Sequence, residues 1–312
     1  MKFSIVITTY NRLDLLKRAV DSALNQTVPC EVIIADNAST DGTEAYAHSL
    51  EGRVIYKRNP TNLNHAGAVN AGVEVASGAW IKLVDDDDYL APTCIERMVD
   101  AIARHPQAVI CSCRAAQIDT NGKELSCTAP TGPGKVFYIP QTAIHYGMFL
   151  EQVPFGTPIQ VAVQREAFLK SGGWDLSMTS CDDIDSWIRV AQFGDALFIN
   201  ECLAYRTVWP GGYDHKIALK NRLATNLLIK QRIYERVSSA YQAALPPMQD
   251  IQNYLHLHWG FVALKQRQLG AALALIAPGV TSPKAWSLLK QARQGRGQNP
   301  AVSSIPKIVL VD

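Results

Sequence analysis

With 312 residues, 47% hydrophobic and 19% charged, the chain has the composition of a soluble globular enzyme and room for one large domain or two small ones. Its net charge of +2 is unevenly placed: residues 1–214 carry 17 Lys and Arg against 25 Asp and Glu, and residues 215–312 carry 13 against 3. No run approaches the ~18 apolar residues of a membrane span. The seven scattered cysteines (30, 94, 111, 113, 127, 181 and 202) include no Cys-x-x-Cys pair, which favours reduced thiols in a cytoplasmic setting over a disulfide framework.

The apolar stretch Phe3–Ile7 is too short for a signal peptide and reads as a first strand. Strands are expected over 3–8, 31–35, 53–57, 80–84 and 108–113. Helices are expected near 12–25, 65–76 and 92–104, the first with Leu13, Leu16, Val20 and Leu24 on one stripe and the last opened by Pro92. This alternation predicts an α/β fold with a mostly parallel central sheet flanked by helices. Asn121-Gly122 signals a hairpin, so antiparallel pieces follow. Residues 128–158, rich in Pro, Gly and Thr, read as a long loop with one short helix. A helix near 182–193 and strands near 196–208 come next. Helical periodicity then predicts helices at 216–244, 248–276 and 283–293. From Gln294 the chain reads as a mobile tail in which Ile308–Val311 could dock as a strand.

The most informative motif is Asp85-Asp86-Asp87-Asp88, placed directly behind the apolar run Trp80–Val84. That run reads as a buried strand, so the carboxylates emerge at its C-terminal end, where open α/β sheets bind ligands. An acid run is ordinarily a solvated helix face, but a strand aims this one at a sheet edge. Hard oxygen ligands suit Mg²⁺ or Mn²⁺, which take one or two carboxylates and complete their shell with water and phosphates. A calcium EF-hand loop is excluded, because its sixth position would be Leu90 rather than Gly.

Two further strand ends reach the same edge if the strands are parallel. The first strand ends in Thr8-Thr9-Tyr10-Asn11-Arg12, and the second runs into Asp36-Asn37-Ala38-Ser39-Thr40-Asp41-Gly42-Thr43. There Asp36 can accept from a base N–H while Ser, Thr and Asn hold ribose hydroxyls. Equally, Asp36 to Thr43 can form an Asx turn and a helix N-cap.

These segments, with Asn64-His65-Ala66-Gly67-Ala68-Val69-Asn70-Ala71-Gly72, Gly172-Gly173-Trp174-Asp175 and Asp182-Asp183-Ile184-Asp185-Ser186-Trp187, occur in an order that resembles the family 2 glycosyltransferases of the GT-A fold. The resemblance spans residues 3 to about 208. It implies an inverting enzyme in which Asp85 and Asp87 form an Asp-x-Asp motif, with Asp87 the direct metal ligand. It further implies a nucleotide-sugar site that includes Thr8, Thr9, Tyr10, Arg12, Asp36 and Asn37, with Asn64, Asn70, Asp85 and Asp86 beside them. Asp183 is implied as the general base, and Trp174, Asp175 and Asp182 as acceptor contacts. Two departures stand out: Asp182 replaces a more usual Glu, and Val69 stands where Arg is common before Asn70. His215, behind Trp209-Pro210-Gly211-Gly212-Tyr213-Asp214, reads either as a third metal ligand on a flap or as an exposed loop histidine. Lys82 reads as a snorkelling strand residue.

The resulting expectation is transfer of a sugar, most readily from a UDP-sugar with Mn²⁺ or Mg²⁺, to a hydroxyl of a glycan or glycolipid. Competing readings are a nucleotidyltransferase, which should show a Gly-rich loop behind the first strand, and a non-catalytic sugar-nucleotide-binding or scaffold protein. The expected organisation is a catalytic domain over 1–214, with its nucleotide-binding half at 1–113 and acceptor half at 114–214. A basic helical extension over 215–293 and the tail 294–312 follow. In the extension Lys216, Lys220, Arg222, Lys230, Arg232 and Arg236 accompany Ile217, Leu223, Leu227, Leu228 and Ile233. That pattern is read either as a solvated helical cap or as a helix that buries its apolar face in the protein and turns its cations toward an anionic surface at the inner face of a membrane or toward a lipid-diphosphate acceptor. Nucleic acid is disfavoured, because aromatic interleaving is sparse and the acidic half repels phosphate.

Overall fold

The computed structural model describes residues 1–153, 155–209, 217–295 (backbone alone for 291–295) and 305–310. Its first half alternates strand and helix. β1 (Phe3–Thr9), α1 (Leu13–Leu24), β2 (Glu31–Asp36), α2 (Thr43–Ser49), β3 (Ile55–Arg58), α3 (Asn64–Val75), β4 (Trp80–Asp85), β5 (Tyr89–Leu90) and α4 (Cys94–Arg104) occur in that order. Then come β6 (Ala108–Ile118), β7 (Glu124–Cys127), β8 (Val136–Ile139), α5 (Gln141–Phe149), β9 (Val161–Gln164), α6 (Arg165–Lys170), α7 (Asp182–Val190) and β10 (Asp195–Thr207). A helical region of α8 (Leu219–Tyr234), α9 (Ser239–Gln242), α10 (Met248–Lys265), α11 (Leu269–Ile276) and α12 (Pro283–Gly295) precedes β11 (Ile308–Val309).

The sheet runs β11-β8-β10-β6-β9-β4-β1-β2-β3, with β5 on β10 and β7 on β6. β1, β2, β3 and β4 are mutually parallel, as are β6 and β10. β9 enters antiparallel between β4 and β6. β1 is buried throughout and reads as an unbroken apolar run because both sheet faces are covered. Its side chains alternate: Phe3, Ile5 and Ile7 join the core under α1 and α4, with Leu16, Val20, Ile95 and Met98. Val6 faces the opposite core, which holds Val69 and Val73 of α3, Ile144 of α5, Ile188 of α7 and Leu223 and Ile233 of α8.

The expected hairpin is present, with Asp119 and Lys123 bonded across Gly122 at φ +83°. Ile308 and Val309 pair with β8 as a short strand. The expected helix over 216–244 is broken: α8 ends at Tyr234, and Ser238 is extended ahead of the single turn of α9. The expected helix over 248–276 is two helices, because Arg267 turns left-handed at φ +59°. Lys82 does not snorkel. It is fully buried, and its ammonium donates to the carbonyls of Leu83, Pro158, Ile159 and Val161 at 2.6–3.2 Å, so it ties β4 to the turn before β9. Among the described residues no helix is long and apolar enough to cross a membrane. Cys30, Cys94, Cys111, Cys113, Cys127 and Cys202 are thiols outside any disulfide, and the Cys127 and Cys202 sulfurs lie 3.1 Å apart as a thiol hydrogen bond.

Candidate active site

Strand register assembles the site. In the β1–β4 pair Thr8 stands opposite Asp85, and in the β1–β2 pair Thr9 stands opposite Asp36, so three parallel strand ends deliver their polar residues to one edge. Thr8 Oγ1 donates to Asp85 Oδ1 at 3.2 Å and Thr9 Oγ1 to Asp86 Oδ2 at 2.9 Å. Arg12, just before α1, places one guanidinium nitrogen 3.2 Å from Asp86 and 3.1 Å from Asp87. Asp87 also accepts the Trp209 indole N–H at 2.8 Å. Asp88 points away from the edge, is buried, and accepts the Thr207 amide at 2.8 Å.

The four carboxyls are under-neutralised. Burial, opposed by Arg12, pushes the Asp86 carboxyl up to about 6. Burial and the Asp85 charge raise Asp87, and the same two causes raise Asp88 well above the usual carboxylate range. Asp85 is the exception: burial disfavours its charge, but the neighbouring His65 cation more than offsets this and holds it low.

His65, on the first turn of α3, is the residue that the motif reading left without a role. One ring nitrogen lies 2.9 Å from Asp85 Oδ1, and the other lies 3.6 Å from Asp182 Oδ2 at the start of α7. Burial works against protonation, yet the two carboxylates raise its pKa well above the ordinary histidine value. Its ring sits edge-on to Trp174, with centroids 5.0 Å apart. Asp183 follows Asp182 in the first turn of α7, where the Ile184 amide donates to it at 2.8 Å. Burial first, then the Asp182 charge, push its carboxyl up to about 7.

The other expected contacts form a supporting frame. Asp36 is fully buried and accepts the Ser39 amide at 2.9 Å and the Tyr56 hydroxyl at 2.6 Å, while Asp41 accepts the Thr43 hydroxyl at 2.7 Å; the Asx-turn reading therefore describes this loop. Asn37 organises the loop ahead of α3, donating to Asn62 and to the Asn64 carbonyl at 2.8 Å. Asn64 takes a left-handed φ of +63° and its side chain accepts the Gly67 amide at 3.0 Å. Asn70 grips the Trp174 backbone from both sides, at 2.8 and 2.9 Å. Gly173 is required there, since a Cβ would meet Asn70 Oδ1 at 2.7 Å.

Trp174, expected among the acceptor contacts, is 1% exposed and packs against Trp187, so its ring has no free face for a sugar. Asp175 accepts Ser177 at 2.7 Å and pairs with Arg232 of α8 at 3.1 Å, which makes it an anchor for the helical region. Tyr10 lies exposed at the rim. His215 lies outside the described residues.

The donor chemistry at the β4 end fits a divalent ion. Asp85 and Asp87 offer hard oxygens, the raised acids around them mark uncompensated negative charge, and Mg²⁺ or Mn²⁺ bound beside a diphosphate requires only one or two carboxylates. Such a site needs no larger protein cluster, and among the described residues no group of three or more His, Cys, Asp or Glu side chains is arranged to hold a metal.

Comparison with known proteins gives a consistent result. YwdF of Bacillus subtilis, an uncharacterised glycosyltransferase, is 41% identical over 103 residues, covering 33% of this chain and 38% of that protein. Chondroitin synthase of Pasteurella multocida is 44% identical over 97 residues, covering 30% of this chain and 10% of the synthase. The chain thus spans well under half the length of both curated relatives. The crystal structure of S. aureus TarS residues 1–349 with UDP-GlcNAc superposes over 100% of both chains with a TM-score of 0.62 at 14% identity, which establishes the shared GT-A-like fold. The glycosyl transferase family 2 model matches residues 4–172, more than half of the chain, and the protein belongs to that family.

Proposed function

We propose that this chain is an inverting glycosyltransferase that moves a sugar from a nucleotide diphosphate, a UDP-sugar, to a hydroxyl of a glycan or glycolipid. The observation that carries the reading is the single imidazole of His65 spanning Asp85 and Asp182, which links a strand-end acid motif to a helix-start acid pair. The UDP-GlcNAc held by TarS and the polysaccharide synthase among the relatives support the donor and acceptor classes.

The roles follow from the side chains. Thr8 and Thr9 fix the Asp85 and Asp86 carboxylates, and Arg12 balances Asp86 and Asp87. Asp85 and Asp87 would hold Mn²⁺ or Mg²⁺, which supplies charge stabilisation to the departing diphosphate. Asp183, with its carboxyl raised to about 7, is matched to removing a proton from an acceptor hydroxyl near neutral pH. Attack from the face opposite the leaving group inverts the anomeric centre in one displacement. His65 orients Asp85 and Asp182 without touching the reacting atoms.

The test is calorimetric titration of UDP with and without Mn²⁺, alongside transfer assays with a panel of nucleotide sugars. Asp87→Ala should abolish Mn²⁺-dependent UDP binding, while Asp88→Asn, altered at a carboxyl that faces Thr207, should retain it. Equal UDP affinity in wild type and Asp87→Ala would overturn the assignment.

A further inference from the structure

Three of the cations expected to face a membrane are engaged within the protein instead. On α8, Arg232 pairs with Asp175 and Asp185, Lys230 donates to the Phe149 carbonyl at 2.9 Å, and Arg222 lies over the Trp259 ring. Lys216 is outside the described residues. α11 and α12 carry exposed apolar side chains in a stretch flanked by cations.

From residue 251 to residue 311 the chain carries seven Lys and Arg and no Asp or Glu. Inside that stretch residues 268–283 contain no charged side chain, and Lys265, Arg267 and Lys284 bracket them. α11 buries Ala272 and Leu275 against its neighbours but leaves Leu269 and Leu273 at 66% and 72% exposure. These two leucines lie one turn apart and share a face. Trp286 on α12 is also exposed, and its indole N–H donates to the Val280 carbonyl at 2.9 Å, so the ring reaches solvent with its polar group already satisfied.

We infer that this surface seats the protein on an anionic lipid bilayer, with Leu269, Leu273 and Trp286 entering the headgroup layer and Lys265, Arg267 and Lys284 contacting lipid phosphates. Exposed leucines in a stretch whose charged residues are all cations match a surface that is apolar inside and negative outside. α11 has eight residues, about 12 Å of helix, which suits lying in the interface and not crossing it. The inference stands apart from the transfer reaction, since it uses none of the residues at the β4 end.

Co-sedimentation of the full chain with phosphatidylglycerol/phosphatidylcholine vesicles and with phosphatidylcholine vesicles, at low and high salt, tests it. Binding to the anionic vesicles at low salt, weakened about tenfold or more at high salt, is expected. Leu269→Ser/Leu273→Ser and Lys265→Gln/Arg267→Gln/Lys284→Gln should each reduce that binding about tenfold or more, with unchanged melting temperature and UDP affinity. Absence of low-salt binding to anionic vesicles would overturn the inference, as would undiminished binding by the leucine variant. A lipid-free dimer that the leucine variant breaks would instead assign the face to a second copy of this chain, and would equally overturn it.

Discussion

Arg232 of α8 reaches across to Asp185 of α7, a carboxylate with no solvent exposure that Arg189 also holds, at 2.7 Å from within its own helix. The acid-pair helix is therefore fastened to the helical region by charge as well as by packing. Removing one partner of a buried pair costs more than the pair contributes, because the remaining charge is stranded. Arg232→Ala should lower stability by about 2–4 kcal/mol in denaturant titrations, less if Arg189 compensates, and leave UDP affinity unchanged. Arg232→Lys should recover only part of the loss, since a single ammonium cannot serve both Asp175 and Asp185 as the forked guanidinium does. A loss under about 0.5 kcal/mol in Arg232→Ala would show that the pair holds nothing together.

His65 is a positioning residue, and its substitution should act through Asp85. His65→Ala should reduce transfer by about 10–100-fold, the usual effect of removing a group that orients a ligand. His65→Gln, which can still donate to Asp85, should restore a substantial part. The companion measurement is the Mn²⁺ dependence of UDP binding, which should weaken in His65→Ala while the melting temperature stays nearly constant. An unchanged metal dependence would remove His65 from the site.

The Asp183 carboxyl gives opposite signs for activity and stability. As a base it must be unprotonated, so transfer should rise with pH through about 7 and then level off. Asp183→Asn should lose that limb and fall by ~10²-fold or more. Because the folded state raises this pKa, the folded state binds the proton more tightly than the unfolded chain, and stability is lost as pH rises from the unfolded carboxyl range through about 7. Above pH 7 Asp183→Asn should therefore be the more stable protein, by about 1–3 kcal/mol. A mutant both active and no more stable would refute the assignment on two counts.

Glu31 presents the reverse linkage. At the start of β2 it accepts Ser4 at 2.5 Å and the Ser77 amide at 2.8 Å, and pairs with Lys2 at 3.0 Å, locking the ends of β1 and β2 to the turn before β4. Burial resists its charge, but these donors prevail and hold the carboxyl down at about 2. Its stabilisation is fully present above the unfolded glutamate pKa and is lost as pH falls towards 2, about 1–2 kcal/mol after discounting for solvent at this edge. Glu31→Gln should flatten the acid limb of the melting temperature between pH 5 and 3 without altering transfer at neutral pH.

The sheet and one side of the site were legible in the residues themselves. Strands such as Phe3–Thr9 and Trp80–Asp85 announce themselves by unbroken apolar runs, and acids behind such a run must emerge at a strand end whatever the remainder of the chain does. The ordered motifs also placed Asp182 and Asp183 at a helix start. Short elements escaped notice for a physical reason: β8 and β9 have four residues each and take their conformation from the strands they pair with, not from local preference. His65 gained its role only in three dimensions, since its partners lie 20 and 117 residues away along the chain and the ring's charge depends on both at once. The cations of α8 make the same point. Helical periodicity shows which face is apolar, but only tertiary packing brought Asp175 and Asp185 to Arg232 and left Leu269 and Leu273 of α11 exposed.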